Sequence, residues 1–68
     1  MNKPLELPKH LKNNRVELHP ATDAWMQGDR YGSIQARWEN GDVLVRLDKS
    51  DKLKRFKKVD ITREFATL

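Results

Sequence analysis

From residue 29 to residue 65 apolar and polar positions alternate with the two-residue period of half-buried strands. The sharpest part is "RWENGDVLVRL", residues 37 to 47, where Asn40-Gly41 predicts a two-residue type I′ turn between two strands. That turn pairs Trp38 with Val43, Arg37 with Leu44, Ala36 with Val45, Gln35 with Arg46 and Ile34 with Leu47. One face then carries Trp38, Val43, Ala36, Val45, Ile34 and Leu47, and the other carries Arg37, Leu44, Gln35 and Arg46. A slip of one residue would mix the two sets, so the pattern itself specifies the register. The apolar face is the expected core, with Trp38 as its large anchor.

The same alternation predicts the flanking elements. "KSDK" (49–52) reads as a second hairpin loop that sets Asp48 opposite Leu53, Arg46 beside Arg55 and Val45 beside Phe56. Phe56 then joins the core, Leu53, Arg55 and Lys57 join the outer face, and Lys54 falls at the inward parity near a rim. "RVEL" (15–18) predicts a first strand with Val16 and Leu18 inward, and "ITREF" (61–65) a last one with Ile61 and Phe65 buried. Between the first two strands, Thr22 or Asp23 can cap a single helical turn over Ala24 to Gln27, which Gly28 stops. Residues 58–60 read as a short turn, and Gly32 as a place where the second strand can bend. Upstream, Pro4 and Pro8 forbid a continuous helix or interior strand, so residues 1–14 read as a flexible N-terminal tail and 15–68 as the folded domain. The fold class is all-β, with five short strands.

Five strands, a structured loop after the first, a bent second strand and a brief turn before the last resemble a small SH3-like barrel. "GDRYGSIQARWENGDVLVRL" is similar to KOW-type barrels of ribosome and transcription proteins, and "LHPATDAWMQGDRYG" resembles small phage or plasmid accessory proteins. The resemblance covers roughly residues 15–65 and implies the fold more than an activity.

Composition narrows the function. Sixty-eight residues make one small domain that must rest on packing, since cysteine is absent and no disulfide or thiolate metal site can assist. The lack of cysteine fits a cytoplasmic protein, and no apolar run approaches a membrane span. His10 and His19 lack a third ligand at metal spacing, and Ser33 and Ser50 lack the context of a catalytic nucleophile, so neither an enzyme nor a cofactor or metal site is expected. Net charge is +4, and residues 43–58 hold seven Lys/Arg against two Asp, a local excess of five.

Such an excess attracts polyanions. The expected partner is nucleic acid, duplex DNA ahead of RNA, lying on the outer face of the three central strands. Gln35, Arg37, Leu44, Arg46, Arg55 and Lys57 would make the contacts, and Lys52 and Lys54, with Lys49 and Lys58, would extend the electrostatic reach. That face resembles the triple-stranded one on which small archaeal chromatin barrels hold DNA. A duplex is preferred to a single strand because, with Trp38 inside, Tyr31 is the main outward ring for stacking. Two other readings stand beside this one. The charges could simply solvate the sheet and guard its edges. Alternatively the domain is an interaction module for an acidic protein partner, docking through its tail and through Trp25 and Met26, which could otherwise cap one end of the core.

Overall fold

A computed structural model of the chain describes the backbone of residues 5 and 6 and the whole of residues 14–66. It is an all-β domain. The elements run β1 (Leu5–Glu6), β2 (Arg15–Leu18), α1 (Asp23–Met26), β3 (Tyr31–Arg37), β4 (Val43–Leu47), β5 (Leu53–Phe56), a 3-10 turn (Lys58–Asp60) and β6 (Ile61–Phe65). Five strands form one antiparallel sheet in the order β5-β4-β3-β2-β6, and β1 adds to β3 beside that path. The sheet is open, because β5 and β6 are its two ends and are not paired with each other. Most of the expected tail lies outside the described residues. Leu5 and Glu6 pair with Arg37 and Ala36, on the edge of β3 that β2 occupies further along at Tyr31–Ser33.

Packing follows the apolar parity of the sequence. Val16, Leu18, Ala24, Ile34, Val43, Val45, Leu47 and Phe56 form one buried cluster, with Trp25 and Ile61 packed against it. The helical turn is capped as expected: Thr22 Oγ1 accepts from Trp25 N at 3.2 Å, and Gly28, at φ +88°, ends the segment. Trp25 is half-buried against the core, with the Arg30 guanidinium 4.5 Å from its ring centroid, while Met26 points to solvent at 68% exposure. The two candidates of the interaction reading are thus divided between core and surface.

Both hairpins depart from the expected registers. Across β3 and β4, Arg37 pairs with Val43 and Ala36 with Leu44, and after a bulge at Gln35 the pairs become Ile34 with Val45, Ser33 with Arg46 and Gly32 with Leu47. The connection is longer than two residues: Trp38 N donates to Asp42 O at 2.9 Å and Gly41 N to Trp38 O at 3.1 Å. Arg46 lies opposite Leu53 rather than beside Arg55, which lies opposite Leu44, and Phe56 lies opposite Val43. This second shift is of two residues, so it preserves the faces. Its loop is held from outside the hairpin. Asp29, itself buried, accepts Lys49 N at 2.9 Å and Ser50 N at 3.0 Å, and Asp51 adopts φ +59°.

The bulge at Gln35 has a larger consequence, because directly paired residues share a face and one extra residue inverts the faces beyond it. Arg37 shares the side of buried Val43, whereas Ala36, which stays buried, and Trp38 move to the side of Leu44 and Arg55. Trp38 is therefore not the core anchor; it is half-buried outside the core cluster, with the Arg55 guanidinium 3.9 Å from its ring centroid. A second irregularity, between Glu17 and Leu18 opposite Thr62, does the same on β6. Ile61 pairs with Leu18 and stays inward, but Glu64 pairs with buried Val16 and Phe65 with Arg15. Phe65, expected inside, stands half-buried on the outer face.

The two charges turned inward meet. Arg37 and Glu64 form a bidentate ion pair, with Nη1 to Oε2 at 3.3 Å, beside a cleft of about 390 Å³ lined by Val43, Ile61 and Glu64. The cleft lies in the seam between β6 and the start of β4, beside the 3-10 turn. Both side chains keep about a third of their exposure, so the coupling belongs at the upper end of the surface range. A double-mutant cycle with Arg37→Ala and Glu64→Ala, followed by urea unfolding, is expected to give an interaction of about 0.5–1 kcal/mol. Strict additivity would show that the pair does not hold the seam.

Candidate nucleic-acid interface

On the outer face, pairing places Arg15 and Glu17 on β2, Tyr31 and Ser33 on β3, Leu44 and Arg46 on β4, Leu53 and Arg55 on β5, and Arg63 and Phe65 on β6. Of the residues expected to contact nucleic acid, Leu44, Arg46 and Arg55 are brought together here, Gln35 is exposed at the bulge, and Lys57 follows β5. Arg37 is not among them, because the bulge sends it to the seam. Lys54 lies opposite Val45 at the inward parity yet is exposed, on the rim as expected.

The arginines are engaged by carboxylates. Arg15 binds Asp48 (Nη1 to Oδ1 2.8 Å), Arg46 reaches Asp51 (3.3 Å), Arg55 Nε binds Asp42 (2.8 Å) and Arg63 Nε binds Glu17 (2.7 Å). The Arg15 hydrogen bond holds the Asp48 carboxyl below its ordinary value against the effect of burial, and Asp48 in turn raises Arg15. Glu17 likewise raises Arg63. The lysines behave differently: among the described residues Lys49, Lys52, Lys54, Lys57 and Lys58 form no ion pair. All five lie in the loop before β5, in β5 itself or just after it, and β5 is an end strand of the sheet. The lysines outside salt bridges thus form a strip along one edge, next to Arg46 and Arg55.

Comparison with family models, curated proteins and solved structures found no match to this chain. The site therefore stands on its own geometry.

Two groups of rings lie on the face. Trp38 carries Arg55 over its ring, with Leu44 paired to Arg55 alongside. At the other end Phe65 meets Tyr31 edge-on at 6.3 Å, with the Arg63 and Arg15 guanidiniums 4.7 and 6.0 Å from its centroid. Arg15 follows from the alternation of "RVEL", but Trp38, Phe65 and Arg63 do not follow from simple alternation. For β6 a signal existed, since uninterrupted alternation of "ITREF" would send Arg63 inward between Ile61 and Phe65. For Trp38 none did, because Ile34, Ala36 and Trp38 alternate without a fault. No helix among the described residues is long and apolar enough to cross a membrane.

Proposed function

We propose that this protein binds nucleic acid across the outer face and the adjoining β5 edge, in a domain of the SH3-like type left open between β5 and β6. The observation that carries the reading is the strip of five lysines that form no salt bridge among the described residues, bordering a face of arginines and rings. A polyanion laid along it releases counterions from its own backbone, and that release supplies the affinity. The existing ion pair of Arg46 is no obstacle. Exposed pairs contribute only about 0–1 kcal/mol, so a phosphate can exchange with Asp51 at little cost. The SH3-like reading is supported by the strand order and by β3, which pairs with β4 on one edge and with both β2 and β1 on the other. The preference for a duplex over a single strand depended on Trp38 being inside, and it loses that support here.

Titration against duplex DNA, duplex RNA and single strands at several salt concentrations tests the proposal. With about five lysines engaged, the logarithm of the duplex DNA affinity should fall against that of salt with a slope near −4.5, and Lys54→Gln or Lys57→Gln should each reduce its magnitude by about 0.9. Arg37→Ala should leave affinity unchanged, since Arg37 serves the seam. Absence of saturable binding to every polynucleotide would end the reading, and the lysines would then be edge guards alone.

A further inference from the structure

We infer that Arg55 is a stacking platform for an unpaired base, which makes single-stranded nucleic acid the preferred ligand of the outer face; this rests on the nucleic-acid reading above. Three observations lead there. Arg55 sits over Trp38 at 3.9 Å from the ring centroid, the separation of a stacked cation and ring. Its Nε donates to Asp42 at 2.8 Å, so the guanidinium plane is fixed from a second direction. The Arg55 side chain nevertheless keeps 40% of its exposure, so it stays open to a ligand from solvent. A guanidinium held in this way presents a flat, rigid surface, and nucleobases stack on such planes as they do on aromatic rings.

The second ring group extends the same design. Tyr31 and Phe65, with Arg15 and Arg63 over Phe65, lie seven residues of β3 away from Trp38, roughly 20 Å at about 3.3 Å per residue. That length suits a strand of several nucleotides. Between the two ends lie Ser33, Leu44 and Arg46, small or flexible side chains that leave a path for a backbone. In a duplex the base faces are covered by their neighbours, and neither ring group could be used without unstacking the helix.

The full chain is titrated with a twelve-nucleotide thymidine strand, a duplex of equal length and a twelve-residue abasic strand, in wild type and in Arg55→Lys. The thymidine strand is expected to bind about tenfold more tightly than both the duplex and the abasic strand. Arg55→Lys keeps the charge and loses the plane; it should weaken the thymidine strand about tenfold and leave the abasic strand within twofold, which also shows that the variant is folded. The Arg55 Nε–H resonance should move upfield under the base ring current with the thymidine strand and stay in place with the abasic one. Equal affinities for the thymidine and abasic strands, tighter binding of the duplex, or an unmoved resonance would overturn the stacking platform while leaving nucleic-acid binding intact. No binding of any strand would overturn both.

Discussion

Gly32→Ala is expected to remove most of the stability of this domain. The position is buried in the middle of the sheet, where β3 pairs on one side with Val16 of β2 and on the other with Leu47 of β4. A methyl group there would run into Val45 Cγ1 and would stand 2.7 Å from the carbonyl oxygen of Arg46. The valine could turn. The carbonyl belongs to the paired strand and can retreat only by opening the ladder, so the cost is that of overpacking against backbone, about 3 kcal/mol or more. A domain this small has a total stability near the low end of about 5–15 kcal/mol, and its melting temperature should drop by roughly 15 °C or more. Gly28→Ala supplies the comparison. At φ +88° it incurs strain of about 1–2 kcal/mol, but its methyl would meet only the mobile end of Lys49. Thermal unfolding of the two variants separates the causes: similar losses would mean that β3 and β4 do not approach as closely as described.

The second large effect is expected at Asp29. Its carboxylate is buried and accepts the backbone N–H groups of Lys49 and Ser50, closing the loop between β4 and β5 from outside the hairpin. Burial alone would push its carboxyl up; the hydrogen bonds from the Ser50 side chain and the two backbone groups outweigh burial and hold it below the ordinary carboxylate range. A depressed carboxyl contributes stability that is fully present above its unfolded value of about 4 and is lost as pH falls through the folded value. Asp29→Ala removes these charge-assisted hydrogen bonds and leaves the two backbone donors stranded, at a cost of about 3 kcal/mol at neutral pH. Asp29→Asn keeps the shape but turns an amide toward one N–H, and it should lose somewhat less. Urea unfolding from pH 7 down to pH 2 checks both statements. The asparagine variant should show a shallower loss of stability below about pH 4 than wild type, and identical acid limbs would show that Asp29 does not carry the charge assigned to it.

Much of the fold is legible in the chain. Val16, Leu18, Ile34, Val43, Val45, Leu47 and Phe56 are inward both by alternation and in the folded domain, because a two-residue period leaves few other ways to bury them. The cap at Thr22 and the left-handed Gly28 are likewise local matters of side-chain chemistry. What could not be read was longer in range. Asn40-Gly41 suggested the tightest turn, but the carbonyls of Trp38 and Asp42 close a wider loop and Gln35 is left over as a bulge. One unpaired residue reassigns everything beyond it, so Arg37 and Trp38 exchange sides although each fits the expected strand. The candidate site fared accordingly: Arg46 and Arg55 are outside as alternation requires, Arg37 is not, and the rings that change the character of the surface arrive through two irregularities with compensating partners. Arg37 and Glu64 make each displacement tolerable to the other, which no reading of either segment alone would reveal.

The anchoring of the β4–β5 loop separates two properties that might have been thought inseparable. Electrostatic strength in this region is written into residues 49–58, but the conformation that displays it depends on a single acid twenty positions before Lys49, across two entire strands. The basic hairpin is consequently not a portable module. Excised, it would retain every positive group and lose the clamp that arranges them.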